Sequence, residues 1–92
     1  MTKSPKLKRA QAEGAAIAAL TFIASDADRL SRFLSLSGID VTRLRAAAAQ
    51  PEFLAGVLDY LSADEPLLMA FAADAGLDPA MLELAGLLLA TG

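Results

Sequence analysis

The amino-acid sequence predicts an all-α protein, a compact bundle of five or six short helices built as two tandem three-helix copies. The first observation behind this is a repeat: residues 15–49 recur about 38 positions later. Leu20 falls on Leu58, Asp26 on Asp64, Leu30 on Leu68, Phe33 on Phe71, Gly38 on Gly76, Asp40 on Asp78, Leu44 on Leu82 and Ala47 on Ala85; Phe22 meets Tyr60 and Ile23 meets Leu61. A period in this range marks supersecondary units that bury one another's apolar faces. The second is composition. The chain is 55% apolar and rich in Ala and Leu, the strongest helix formers, while β-branched residues are few. The third is punctuation: Asp or Pro where helices would start and Gly where they would end. The matched residues are core and boundary residues, so the repeat speaks of architecture and not of chemistry. A twofold and a translation between the copies are equally compatible with it.

At 92 residues the chain is one domain. Residues 1–9 read as a flexible basic tail and residues 10–92 as a single helical domain. The first helix runs to about Ala24, and its second half, Ala15 to Ala24, is apolar nearly all round, which places it in the middle of a bundle or in an oligomer interface. Ser25 or Asp26 caps the second helix, whose buried stripe is Leu30, Phe33, Leu34 and Leu36, and Gly38 can take the left-handed conformation that ends it. Asp40 caps a third helix carrying Val41, Leu44 and an alanine run to Ala49. Pro51 opens the fourth at its first helical position, with Phe53, Leu54, Val57, Leu58 and Leu61 buried. Asp64 and Pro66 start the fifth, with Leu67, Leu68 and Phe71, and Gly76 ends it. Asp78-Pro79 starts the sixth, whose Met81, Leu82, Leu84, Ala85 and Leu87 to Leu89 make it too apolar for an exposed strap; it packs centrally or meets another subunit. Met69 and Met81 read as core gap-fillers.

Charge is segregated. The formal net charge is −3, yet all eight Lys and Arg lie at or before position 45, against four acids there (net +4). Beyond it stand seven acids and no base (net −7). Such asymmetry steers partners.

The chain has neither Cys nor His, which closes disulfides, thiolate metal sites, thiol nucleophiles and the His-based triads. Asp26 with Asp28, and Asp64 with Glu65, are carboxylate pairs, but each flanks a helix start, where acids complement the dipole. No segment has calcium-loop or phosphate-loop spacing. Tyr60, aligned with Phe22, reads as a core or rim aromatic. The expectation is therefore no enzyme, no catalytic residue, no metal, no cofactor and no small-molecule substrate; an enzyme using Asp64, Glu65 or Tyr60 is the remote alternative. No stretch is long enough to span a bilayer, and no convincing cleavage site follows the basic start. A cytoplasmic location is expected.

One segment admits a second reading. Residues 29–49 describe two helices joined by a short Gly-containing turn, the outline of a helix-turn-helix. Arg29, Arg32, Arg43 and Arg45 surround it as candidate contacts to a partner or to nucleic acid, and the tail would add phosphate contacts. Against this, the would-be recognition helix offers only Thr42, Arg43, Arg45 and Gln50 as readers, and the equivalent turn at Phe71–Leu82 carries no base.

The run Arg32-Phe33-Leu34, Gly38-Ile39, Leu44-Arg45, then Pro51-Glu52-Phe53-Leu54, Val57-Leu58-Asp59-Tyr60-Leu61, Asp64-Glu65, Leu67-Leu68, Phe71 and Gly76-Leu77-Asp78-Pro79 resembles a family of small alphaproteobacterial proteins catalogued as a domain of unknown function. The resemblance spans about Ala15 to Ala90 and is most specific over Phe53–Leu68. It implies a bacterial, cytoplasmic, all-helical protein and brings no activity, cofactor or site residue. The favoured expectation is a non-enzymatic protein–protein interaction or adaptor module, self-associating in one form, with nucleic-acid binding through residues 29–49 as the alternative.

Overall fold

The structure, a computed structural model, describes residues 7–90; most of the predicted tail, residues 1–6, and the last two residues lie outside them. The chain forms α1 (Arg9–Ala24), α2 (Ala27–Ser37), a 3-10 turn (Val41–Arg43), α3 (Leu44–Ala47), α4 (Pro51–Ser62), α5 (Glu65–Ala75) and α6 (Pro79–Ala90). Among the described residues there is no strand. The all-α bundle is as the sequence predicts. Helix α1 starts at Arg9, inside the stretch read as tail, and the Lys8 N–H donates to Gln11 Oε1 at 2.8 Å to close its first turn.

The boundaries follow local chemistry. Asp26, not Ser25, caps α2: its Oδ1 accepts from the N–H of Asp28 at 2.9 Å and of Arg29 at 3.1 Å. Ser25 instead donates to the Phe22 carbonyl. Asp64 accepts from Leu67 N–H, Asp40 from Thr42 N–H and Asp78 from Ala80 N–H. Each satisfies a donor that a helix start leaves without a partner. Gly38 and Gly76 have φ of 73° and 69°, the left-handed region in which a side chain is strained. Their N–H groups close onto Leu34 and Ala72, and Leu77 N–H returns to Ala72 as well, at 2.9 Å.

Helices α1, α4 and α6 make the core. Ala12, Ala15, Ala16, Ala19, Leu20 and Ile23 form the buried stripe of α1; α4 adds Leu54, Ala55, Val57, Leu58 and Leu61; α6 adds Leu82, Ala85, Gly86 and Leu89. The repeat is visible in burial. Ala16, Ala19, Leu20 and Ile23 match Leu54, Val57, Leu58 and Leu61 at the same offset, and all eight are buried. Phe33 of α2 and Phe71 of α5 are buried too, at equivalent positions.

Their contacts resolve the relation between the copies. Phe33 meets Tyr60 at 5.1 Å between ring centroids, and Phe71 meets Phe22 at 5.5 Å. Since Phe33 corresponds to Phe71 and Phe22 to Tyr60, each copy's Phe reaches the other copy's aromatic. Such reciprocal exchange is the mark of a twofold and not of a translation. The pair α1–α2 and the pair α4–α5 are thus related by a pseudo-twofold.

The third units break it. The helix expected from Val41 to Ala49 is a 3-10 turn and four α-helical residues, with no buried residue. Asp40 takes both the N–H and the hydroxyl of Thr42, which favours the tight turn. At the other end Pro51 keeps Gln50 extended (φ −99°, ψ 123°), ending the helix before it. Between these limits the only large apolar side chains are Val41, which is exposed, and Leu44, which is half-buried. Helix α6 lies instead against both α1 and α4. Two other expectations are corrected: Leu36 is 69% exposed and Met69 also points to solvent, because each falls on the outer face of a helix whose other face already fills the core.

Candidate interaction surfaces

No buried polar or charged side chain exists among the described residues, and no three carboxylates gather where they could hold a metal ion. What chemistry the surface carries lies in shallow hollows. The four arginines singled out from the sequence do not form one patch. Arg29 lays its guanidinium 4.5 Å from the centroid of the Phe22 ring, a cation–π contact that occupies it within the fold. With Arg32 it lines a hollow that also contains Asp28, Asp64 and Tyr60. Arg43 lines a different one with Ile39, Thr42, Ala46, Ala47 and Gln50, and Arg45 is exposed on α3. The segment that would read a DNA groove is therefore a short turn without a full recognition helix.

A hollow of about 750 Å³ runs between α1 and α6. Gln11, Gly14, Ala15 and Ala18 form one wall, Met81 and Leu84 the other, and Ala75 and Leu77 close one end. The two helices run antiparallel here, since the Arg9 guanidinium donates to the Leu88 carbonyl at 3.2 Å. The groove is lined mainly by apolar groups because the small residues that let α1 approach α4 closely continue round its circumference. On α6, Leu84 and Leu87 are 58% and 64% exposed and lie one turn apart on the same helix face. Ile17 of α1 is also exposed. This outward apolar face had a signal in the sequence: the second half of α1 is apolar nearly all round and α6 is too apolar for an exposed strap, so part of each had to remain uncovered.

A second hollow, about 420 Å³, lies between α2 and α4. Phe33, Leu36 and Ser37 face Glu52, Phe53, Gly56, Val57, Asp59 and Tyr60 across it. The rings of Phe53 and Tyr60 both stand edge-on to the Phe33 ring, at 6.0 and 5.1 Å. Sequence reasoning read Phe33 and Phe53 as core and Tyr60 as core or rim, and missed the opening between them.

The architecture is that of a small, all-helical bundle with outward apolar hollows between its helices. The chain belongs to the family described as Protein of unknown function (DUF3572), whose model matches residues 9–92. No curated protein and no solved structure matches it. No helix among the described residues is long and apolar enough to cross a membrane.

Proposed function

We propose that the protein is a non-enzymatic interaction module that works by covering the α1–α6 face with another polypeptide, a second copy of itself being the first candidate. The observation that carries this is the pairing of the α1–α6 groove with Leu84 and Leu87, two large side chains left in water beside it. Contiguous apolar surface of this kind marks association sites. Burying it removes apolar area from water at about 25 cal/mol per Å². The groove's two ends support self-association. Lys8 and Arg9 flank the end at Leu7 and Gln11, and Asp78 lines the other. Two copies laid antiparallel would set the basic end of each against the acidic end of the other, which orients the contact. Sedimentation velocity across protein and salt concentration tests it. The expected result is a dimer that dissociates with added salt and with Leu84→Glu or with a Gly14→Leu plug of the groove. A monomer at every ionic strength, together with no protein captured from native extract that Leu84→Glu releases, removes the reading. Nucleic-acid binding is the weaker alternative, since Arg29 is held against Phe22 and the segment has no recognition helix; an absence of retardation of duplex DNA at low salt would end it.

A further inference from the structure

We propose that the hollow between α2 and α4 is a second, separate binding site, one that takes a basic segment of another protein: an apolar anchor side chain seated over Gly56, between Phe53 and Tyr60, with flanking Lys or Arg side chains meeting Glu52 and Asp59. This goes beyond the α1–α6 reading and does not depend on it.

Gly56 is the first observation. Glycine inside a helix is unfavourable relative to alanine because it orders a freer backbone and adds no contact. In this chain one such glycine is explained by packing. A Cβ on Gly86 would lie 3.4 Å from Leu58 Cβ and 3.8 Å from Asp59 Oδ1, so its absence lets α6 seat on α4. A Cβ on Gly56 would have nothing within 4 Å. Among the described residues nothing uses the room it leaves. That room sits at the centre of a notch: Phe53 lies three residues before Gly56 and Tyr60 four after, so both project from the same helix face as the gap. Both rings are half-buried, wedged against Phe33 on one side and open to the hollow on the other. Rigid aromatics around a vacant floor are what a large anchor side chain requires. Leu36 makes the outer wall, so an occupant would also cover the most exposed large apolar side chain in the described residues.

Charge selects the occupant. Among the described residues, the only ionised groups lining the hollow are Glu52 and Asp59, and both are exposed. No Lys or Arg follows position 45 to compete for them. Arg32 lines the adjoining hollow, on the other side of Leu36 and Tyr60, together with Asp64 and Glu65. An acidic segment would meet two unpaired carboxylates, while a basic one gains two ion pairs and cation–π contact with Phe53 or Tyr60.

The test is selection of a phage-displayed random peptide library on the full-length protein, with the enriched peptides titrated into labelled protein by NMR. The expected peptides join one large apolar residue to Lys or Arg a turn away. They shift the amides of Phe53, Gly56, Asp59 and Tyr60, lose affinity as salt rises, and lose it roughly tenfold or more with Gly56→Leu or Glu52→Lys. Gly56→Leu projects into open space and leaves the fold intact, so its thermal midpoint should not fall; this separates a blocked site from an unfolded protein. Failure to enrich any peptide, enrichment of acidic ones, or shifts confined to Gly14, Ala18, Met81 and Leu84 would overturn the proposal, and the last of these would at the same time support the α1–α6 reading.

Discussion

The third unit of each copy starts from the same instruction and ends in different places. Asp40 and Asp78 both cap a turn that follows a left-handed glycine, and both are answered four residues later by a leucine, Leu44 or Leu82. In the first copy this yields a 3-10 turn and a four-residue helix on the surface; in the second it yields a twelve-residue helix at the centre of the bundle. The difference is apolar area. After Leu82 come Leu84, Ala85, Leu87, Leu88 and Leu89, whereas after Leu44 come only an arginine, four alanines and a glutamine before Pro51 stops the helix. One pseudo-twofold seam between α1 and α4 can bury a covering helix on a given side, and only the second copy supplies one. A shared cap starts a helix; the buried stripe decides whether it continues.

The largest expected effects test what the copies still share. Phe33→Ala and Phe71→Ala should each cost about 3–5 kcal/mol in urea denaturation, since both rings are buried at equivalent positions. A difference between them of half that size would contradict the pseudo-twofold. The next pair tests where the copies part. Leu82→Ala should cost about 2–5 kcal/mol, and Leu44→Ala about 1 kcal/mol or less, because Leu82 is fully buried and Leu44 only half so. Equal losses would mean that the short α3 is as much part of the core as α6. Gly86→Leu should overpack the α4–α6 contact and cost about 1–3 kcal/mol, while Gly56→Leu should be neutral or slightly stabilising.

Smaller effects come from the turns. Gly38→Ala and Gly76→Ala force a side chain into the left-handed region and should each cost about 1–2 kcal/mol. The smallest is specific to the first copy. The Thr42 N–H, and then the Thr42 hydroxyl, hold the Asp40 carboxyl below the usual carboxylate range. A depressed folded value means that this cap stabilises fully above the unfolded pKa and is lost as pH falls through the folded one. An NMR titration should show the Asp40 carboxyl and the Thr42 amide moving together, lower in pH than the free side chain.

Much of this was legible in residue order. Six helical segments, the caps at Asp26, Asp40, Asp64 and Asp78, both glycine stops and the aligned core leucines can all be read from short-range grammar, because a cap or a positive φ depends on neighbours within four residues. The truncation of the third helix had a trace in its alanines and in Gln50-Pro51, but the shared Asp-to-Leu spacing hid it. The two candidate surfaces were less visible. Phe53, Tyr60 and Leu36 look like core residues in a list, and only the gap between α2 and α4 exposes the notch above Gly56. The arginines gave the opposite lesson: adjacent in sequence, they are dispersed among different hollows, and one is held on Phe22.

The sequence by itself determined the all-helical class, the Asp starts and Gly stops of α2 and α5, the Pro starts of α4 and α6, and the segregation of charge, since these rest on composition, backbone preference and local hydrogen bonds. The tertiary structure alone decided that the copies are related by a twofold, that α6 covers their seam while α3 does not, and which leucines stay in water. Those outcomes depend on which faces compete for one small core, and with two nearly all-apolar helices there was more apolar surface than the core could enclose.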